Sequence, residues 1–272
     1  MSTLDAIARP SGTFAMVAMD QRESLRAMMG GDAPDERLRA FKLAVARELG
    51  PHASGFLMDR DFGFEEVARI GPPGLMLAVD SLVQEPGGPV EDTELDGGPV
   101  LDGAVGLKLL VIWRDDADRG RRLELARRFV RLAAEHGLLS VLEGIVRHED
   151  REAAIVEAAR ELAGVGPSLY KVEVPLRGKG DPAAIEARCR EIDAAVPVPW
   201  VVLSNGVELD DFPGAVEAAC RGGASGFLAG RAIWSDLVGE ADPAPALRER
   251  SVPRLERLAA IVDEHGRPWR AK

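Results

Sequence analysis

Eight short apolar runs alternate with longer amphipathic segments, and this alternation most restricts how the 272-residue chain can fold. Short apolar runs separated by charged segments with helical spacing are typical of repeated βα units and a parallel sheet. The predicted strands cover 13–20, 54–59, 74–80, 105–113, 138–144, 169–174, 199–204 and 225–230. Eight such units predict a single-domain (β/α)8 barrel over residues 1–272.

The segments between the runs support this fold class. Predicted helices cover 35–50, 117–137, 149–164, 181–195, 210–222 and 243–265. An open doubly wound sheet would carry a glycine-rich turn after its first strand, and no GxGxxG occurs there. One segment, 81–103, is rich in Gly, Pro and acidic residues and has no helical period, so it predicts a long loop. Such a loop is either a binding element or an irregular crossover that replaces a helix.

Charge and composition exclude several classes of function. A formal net charge of -11 argues against a nucleic-acid surface, which needs clustered Lys and Arg. The four histidines and two cysteines show no metal-ligand spacing, so we expect no metal. The N-terminus lacks the pattern of a secretory signal and no apolar run is long enough for a bilayer, so we expect a cytoplasmic protein without membrane contact.

The strand at 169–174 carries two charges, Lys171 and Glu173. Side chains alternate across a strand, so Tyr170, Val172 and Val174 share the opposite face. The apolar face must meet the helices. Lys171 and Glu173 are therefore predicted to point into the barrel, close to the rim where barrel enzymes place their active sites. We expect Glu173 to balance charge near Lys171.

Three other strands each place one ionisable side chain on the same predicted rim. Alternation sends Lys108 inward, puts Glu143 at the end of its strand, and ends the first strand on Asp20. Any one of them taken alone can be a solvated residue or half of an ion pair. Two lysines and two acids that converge from four strands are costly unless they perform chemistry or pair completely.

The two interior lysines indicate a specific chemistry. A free lysine has a reference pKa of about 10.4 and is a poor nucleophile at neutral pH. A neighbouring cation and partial desolvation favour the neutral amine, which can attack a ketone. The resulting iminium accepts electrons when an adjacent carbon–carbon bond breaks, provided that an acid/base group takes the hydroxyl proton. Glu143 is the candidate for this proton transfer.

The loops after the last two strands fit an anion site. In this fold these loops, with a short extra helix, form a recurrent phosphate site. The candidate residues are Ser204, Asn205, Gly206, Gly230 and Arg231. The alternative is that the glycines only permit tight turns and that Arg231 pairs with a surface acid. For a second anion the candidates near the rim are Arg114, Arg177 and Lys179, unless they are simply solvated.

Five segments resemble, in order and over nearly the full chain, the class I tagatose-bisphosphate aldolase family: "SGTFAMVAMDQRES", "LKLLVIWR", "LYKVEVPLRGKG", "PWVVLSNGV" and "GASGFLAGRAIW". The likeness is greatest to the sulfofructosephosphate aldolase branch. It implies a cofactor-free Schiff-base aldolase, a homo-oligomer, that cleaves 6-deoxy-6-sulfofructose 1-phosphate to dihydroxyacetone phosphate and 3-sulfolactaldehyde. Tagatose 1,6-bisphosphate is the alternative substrate, and a non-catalytic sugar-phosphate-binding protein is the alternative class.

The same resemblance implies roles for individual residues. Lys171 carries the Schiff base, Glu143 is the acid/base residue, and Asp20 and Lys108 are its polar partners. The residues that it implies in substrate binding are Gln21, Ser204, Gly206, Gly230 and Arg231. The sequence departs from the family pattern at two places, and both concern contacts with the ends of the substrate. Asn205 stands where the family commonly has a second serine, and the segment after Glu143 is shorter than in many relatives.

Overall fold

Eight parallel strands close into a barrel in the computed structural model, which describes residues 3–85 and 88–272. The strands of this part are β1 (Phe14–Met19), β2 (Gly55–Met58), β3 (Leu75–Ala78), β4 (Asp80–Val83), β5 (Asp92–Leu95), β6 (Gly106–Trp113), β7 (Leu139–Val146), β8 (Leu169–Glu173), β9 (Trp200–Leu203) and β10 (Gly226–Ala229). Around the barrel their order is β1-β10-β9-β8-β7-β6-β3-β2. Each predicted strand overlaps one barrel strand, so the predicted (β/α)8 fold is confirmed.

Helices cover the outside of the barrel. They are α1 (Glu23–Met28), α2 (Asp35–Leu49), α3 (Phe64–Ile70), α4 (Arg119–Glu135), α5 (Arg151–Ala163), α6 (Pro182–Ala195), α7 (Phe212–Arg221), α8 (Arg231–Trp234), α9 (Ala244–Ala246) and α10 (Val252–His265). The residues at a helix terminus can determine where that helix begins, as at α6. Asp181 caps α6 by accepting from Ala183 N, and Pro182 fills the first helical position, which needs no N–H donor. In the described part of the chain no helix is long and apolar enough to cross a bilayer.

The two faces of each strand meet different layers, as alternation predicts. Leu107, Leu109 and Val111 of β6 pack in the main core between the strands and the helices. Phe14, Met16 and other inward side chains form a second buried cluster inside the barrel. This cluster fills the N-terminal part of the interior with apolar groups. In the described part of the chain no charged side chain belongs to this cluster.

The segment 81–103 differs from its prediction as an irregular loop. It contains most of an antiparallel hairpin, in which β4 pairs with β5 from Asp80↔Leu95 to Val83↔Asp92. The hydroxyl of Thr93 donates to the Leu110 carbonyl oxygen at 2.6 Å, which joins the hairpin to β6. Four-residue strands among Gly and Pro give too short an alternation to be recognised in the sequence. Pro86 and Gly87, which the predicted loop also includes, lie outside the described residues.

Candidate active site

A cavity of about 500 Å³ opens at the carboxyl ends of the barrel strands. Its wall includes the four predicted catalytic side chains, Asp20, Lys108, Glu143 and Lys171. Asp20 directly follows β1, and Lys108, Glu143 and Lys171 lie within β6, β7 and β8, so strand alternation brings the four together as the sequence predicts. All four side chains are at least nine-tenths buried, which strengthens their mutual electrostatic interactions.

Lys108 lies between three carboxylates. Its Nζ is 2.8 Å from Asp20 Oδ2, 2.9 Å from Asp80 Oδ2 and 3.0 Å from Glu143 Oε2. Lys108 Nζ donates hydrogen bonds to Asp20 and Asp80, and Glu143 lies in ion-pair range of the same nitrogen. Burial lowers the pKa of Lys108, but the three carboxylates outweigh it and raise the pKa well above its ordinary value. Lys108 is therefore held as a cation and has no lone pair for nucleophilic attack.

Lys171 has a different environment from Lys108. Its Nζ lies 3.0 Å from Glu143 Oε2, and this is its one ion pair within residues 3–85 and 88–272. Lys171 is only 4% exposed and its side chain lines the cavity. With a single partner, its amine keeps positions that face the cavity. Lys171 is thus the lysine of the pair whose geometry suits attack on a bound carbonyl group.

Glu143 is shared by the two lysines through the same oxygen, Oε2. Burial raises its pKa, but the charges of Lys108 and Lys171 outweigh burial and hold the pKa below its ordinary value. Burial also raises the pKa of Asp20, and the same two lysines hold it well below the usual range. Both groups are therefore anions in the resting protein. Loss of the charge on Lys171 would remove one of the two cations that favour ionised Glu143.

Sequence reasoning missed Asp80 and its partner Arg22. Asp80 Oδ2 accepts from Lys108 and, at 3.2 Å, from the backbone N of Leu110. Its other carboxylate oxygen pairs with Arg22, which also donates to the Asp80 carbonyl oxygen at 2.9 Å. A signal was present, because the predicted strand 74–80 ends on Asp80 as the first strand ends on Asp20. Alternation from the inward Met76 and Ala78 sends Asp80 inward as well.

Glu173 does not balance the charge of Lys171, contrary to its prediction. Its Oε2 accepts from the backbone N of Val146 at 2.8 Å, and its Oε1 lies 3.3 Å from Arg151 of α5. Through these two contacts Glu173 links the end of β7 and α5 to β8. The interior charge of Lys171 is matched by Glu143 alone among the carboxylates in ion-pair range in the described part.

The predicted anion site lies beside the two lysines. Arg231, at the start of α8, donates to Asn205 Oδ1, and both side chains line the cavity together with Gln21. Burial lowers the pKa of the Arg231 guanidinium. Within the described ranges Arg231 forms no ion pair, so the alternative in which it binds a surface acid is wrong. A partly buried guanidinium without a carboxylate partner in the described part suits an anionic ligand.

The other predicted contacts of this site lie in the same two loops, next to the residues that line the cavity. Ser204 is buried directly after β9, and Gly206 has a φ of +75°, a conformation that favours glycine. Gly230 permits a close approach, because a Cβ there would lie 2.5 Å from the Ala18 carbonyl oxygen and 3.0 Å from Gln21 Nε2. Their direct contact with a ligand stays a prediction.

The three arginine and lysine candidates for a second anion do not line the cavity. Arg114 lies 3.1 Å from Glu91, and Lys179 lies 3.8 Å from Glu208. The exposed Arg177 lies against Gly206, on the side of the cavity that holds Arg231. The second-anion site predicted for these residues is therefore not assembled by their side chains.

The histidines lie away from the cavity, and none of the four is among the residues that line it. His52 lies 3.0 Å from Glu256, and His148 stacks obliquely near Trp113 with ring centroids 6.3 Å apart. Throughout residues 3–85 and 88–272 no group of three or more His, Cys, Asp or Glu side chains is placed to hold a metal ion. In the cavity Asp20, Asp80, Lys108, Glu143 and Lys171 are instead joined to one another by ion pairs.

Solved structures with the same fold include aldolases. A Schiff-base-forming fructose-1,6-bisphosphate aldolase superposes with a TM-score of 0.65 at 20% identity, over 95% of this chain and 98% of that chain. The fructose-bisphosphate aldolase of Plasmodium falciparum superposes with a TM-score of 0.72 at 14% identity, over 97% and 95%. At these identities the likeness establishes the barrel fold.

Two sequence relatives and one family model match most of the chain. Tagatose 1,6-diphosphate aldolase 1 of Streptococcus pyogenes serotype M1 is 25% identical over 96% of this chain and 94% of its own length. Tagatose 1,6-diphosphate aldolase 2 of Enterococcus faecalis is 26% identical over 100% and 96%. The fold of this chain is a (β/α)8 barrel, and both of these relatives are aldolases. The model for the DeoC/LacD family aldolases matches residues 14–236, and the chain belongs to that family. The resemblance to tagatose-bisphosphate aldolases is thereby confirmed at the level of the family.

Proposed function

We propose that this protein is a class I aldolase that cleaves 6-deoxy-6-sulfofructose 1-phosphate to dihydroxyacetone phosphate and 3-sulfolactaldehyde. The observation that carries the Schiff-base assignment is the unequal bonding of the two lysines. Among the described residues three carboxylates lie within 3.0 Å of Lys108 Nζ, whereas Lys171 has one carboxylate partner and faces the cavity. Lys171 is then the nucleophile, and Lys108 is the fixed cation beside it.

Cleavage begins at the ketone carbon, C2. The neutral amine of Lys171 attacks C2, and the resulting carbinolamine loses its oxygen as water to give an iminium. Glu143, 3.0 Å from Lys171 Nζ, is placed to take the ammonium proton whose loss makes the amine neutral before it attacks. In the carbinolamine a second proton passes from the nitrogen to the oxygen, and Glu143 returns the first proton to that oxygen, which leaves as water. Lys108 remains charged through these steps and keeps Glu143 oriented.

Glu143 also serves the carbon–carbon cleavage. It takes the proton of the C4 hydroxyl as the C3–C4 bond breaks, so that C4 leaves as an aldehyde. The bonding electrons pass to the iminium and give an enamine on Lys171. Protonation at C3 and hydrolysis then release dihydroxyacetone phosphate and restore the lysine. The low pKa of Glu143 in the resting protein gives a carboxylate that is ready to accept the first proton.

The phosphate on C1 is assigned to the side of Arg231, Asn205 and Gln21. Arg231 and Asn205 are hydrogen-bonded to each other, which orients the guanidinium before substrate binds. Retention of this phosphate on dihydroxyacetone phosphate means that the ketone product stays bound through the same contacts after the aldehyde has left.

Two substrates fit this chemistry, and they differ at the far end. Support for the sulfonated ketose comes from the motif resemblance and from an apolar wall beyond Glu143, formed by Leu110, Ile112 and Ile145. A sulfonate joined directly to carbon lacks the ester oxygen of a phosphate and needs one fewer polar contact. Tagatose 1,6-bisphosphate is the second candidate, and the names of the two relatives favour it.

Reduction with borohydride in the presence of the sulfonated ketose tests the Schiff base. We expect a mass increase on the peptide that contains Lys171, and no increase in the Lys171→Ala protein. Binding of the ketose without an adduct would reject the aldolase mechanism in favour of a non-catalytic sugar-phosphate-binding protein. The ratio of kcat/KM for the sulfonated ketose and for tagatose 1,6-bisphosphate then selects the substrate, and a higher value for the bisphosphate would reject the sulfonated one.

A further inference from the structure

Among the described residues five cationic side chains line the cavity, and four of them have an ion-pair or hydrogen-bond partner. These four are Arg22, Lys108, Lys171 and Arg231. Arg22, Lys108 and Lys171 are bound to carboxylates, and Arg231 reaches the amide oxygen of Asn205. The fifth is Arg147, whose side chain forms no hydrogen bond or ion pair within residues 3–85 and 88–272. An uncommitted guanidinium at a substrate cavity is available for an anion.

The backbone places Arg147 at the outer end of the same inward face that carries Glu143. Residues 143, 145 and 147 alternate onto one side, and Ile145 also lines the cavity. The backbone N of Arg147 donates to the Trp113 carbonyl oxygen at 2.9 Å, which continues the ladder between β6 and β7 by one residue. At a rise of about 3.3 Å per residue, the Cα atoms of residues 143 and 147 lie about 13 Å apart. The Arg147 backbone is therefore held in place by β6. Its exposed side chain has no hydrogen-bond or ion-pair partner among the described residues.

Arg147 and Arg231 stand on different sides of the reacting groups. Arg231 follows β10 and Arg147 follows β7, and β9 and β8 lie between them in the closed barrel. Lys171 belongs to the intervening β8. A substrate that places one anion on Arg231 and its carbonyl carbon at Lys171 extends its far end toward Arg147.

We infer that Arg147 binds the distal tetrahedral oxyanion of the substrate, a sulfonate or a phosphate, and so selects the aldehyde half. The inference rests on the proposed aldolase function and deepens it. Beyond Glu143 the wall is formed by Leu110, Ile112 and Ile145, which carry no charge to compete with the oxyanion. Arg147 leaves dihydroxyacetone phosphate untouched, because that product lacks the distal group.

The test compares wild-type protein with Arg147→Met, which removes the charge and keeps an unbranched apolar chain. Three substrates are cleaved: the sulfonated ketose 1-phosphate, tagatose 1,6-bisphosphate and a ketose 1-phosphate with a free C6 hydroxyl. We expect kcat/KM to fall about 10- to 100-fold for a substrate with a distal anion, as for loss of a charge-assisted hydrogen bond. The monophosphate should change less than threefold. Losses on both dianionic substrates support a shared oxyanion site, and loss on one alone identifies its ligand.

Two comparisons control for indirect effects. Arg114→Met removes a nearby arginine that is paired with Glu91 and does not line the cavity, and it should alter none of the three values. In the synthetic direction Arg147→Met should raise the KM for the aldehyde and leave the KM for dihydroxyacetone phosphate unchanged. Equal losses on all three substrates, or no loss on any of them, would overturn the inference.

Equilibrium binding separates this inference from the proposed function. The Lys171→Met protein forms no imine, so calorimetry reports the Kd of the sulfonated ketose and of tagatose 1,6-bisphosphate without turnover. Adding Arg147→Met should raise at least one Kd about 10- to 100-fold. If wild-type protein cleaves none of the substrates, the proposed function fails, and the Kd still decides the role of Arg147. If both values are unchanged while wild-type protein cleaves, the inference alone is rejected.

Discussion

Replacement of Lys108 by Met tests whether this residue serves to hold charge rather than to form a covalent bond. Lys108 Nζ lies within 3.0 Å of oxygens from Asp20, Asp80 and Glu143, so it neutralises three carboxylates at once. Met has a similar length and no charge. The substitution therefore removes the shared cation and leaves the carboxylates facing one another.

The expected cost follows from these distances. Oxygens that each lie within 3.0 Å of one nitrogen are at most about 6 Å apart, and at an effective dielectric constant of about 20 two unit charges at 6 Å repel by roughly 3 kcal/mol. Removal of one partner from a buried ion pair typically costs about 3–5 kcal/mol. We expect Lys108→Met to lower the free energy of unfolding by about that amount at neutral pH.

The pH dependence of this loss has a definite sign. In the wild-type protein the pKa values of Asp20 and Glu143 are lowered on folding. Lowered carboxylate pKa values contribute stability that is present above their unfolded values, about 4, and is lost as the pH falls through the folded values. Without Lys108 the part of that contribution that comes from its charge is lost, and the part from Lys171 remains. The difference between the two proteins is therefore largest near pH 7 and shrinks below about pH 4.

Urea unfolding at pH 7 and pH 4 measures the loss, and Lys171→Met is the matched control. Lys171 has one carboxylate partner, so its replacement should cost less stability than Lys108→Met and should abolish borohydride trapping. Lys108→Met should still give an adduct on Lys171. Equal stability of Lys108→Met and wild-type protein, or an adduct on Lys108 in wild-type protein, would refute the reasoning.

Three further changes address the site. Glu143→Gln should lower kcat by about 10²- to 10⁴-fold while borohydride still traps Lys171, and an unchanged kcat would remove Glu143 from the mechanism. Asp80→Asn breaks the ion pair with Arg22 and weakens the contact with Lys108. We expect kcat to fall about tenfold and the midpoint of urea unfolding to decrease, and wild-type values of both would show that Asp80 has no positioning role. Gly230→Ala puts a methyl group 2.5 Å from the Ala18 carbonyl oxygen. In steady-state kinetics the KM for the ketose 1-phosphate should rise about tenfold or more, and an unchanged KM would contradict this.

The barrel strands were predictable because each is a run of apolar, often β-branched residues with an amphipathic segment after it. Alternation within β8 was enough to send Lys171 inward and Tyr170 toward the helices. The hairpin β4–β5 was not predictable, because its strands are four residues long and half exposed. Its stability comes from pairing and from contacts with β6, and neither leaves a pattern in the local sequence.

Residues of the site escaped prediction where strand ends were placed too early. The predicted strand 138–144 stops at Gly144, but β7 continues to Val146 because its partner β6 runs to Trp113. Gly144 does not end the strand; a Cβ there would lie 2.3 Å from the Tyr170 hydroxyl, so packing requires glycine. Only the longer strand shows that Arg147 shares the face of Glu143.

The pairing of the first barrel strand with the last one has a consequence for how activity arises during folding. Phe14 lies beside Gly226, and a Cβ at residue 226 would lie 2.0 Å from the Phe14 carbonyl oxygen. Asp20 follows β1 and Arg231 follows β10, so the cavity is incomplete until strands more than 200 residues apart in sequence have joined. Pairings of such long range form slowly. Regain of cleavage in a refolding reaction therefore reports the closure of the β1–β10 seam, whereas helix content can return earlier.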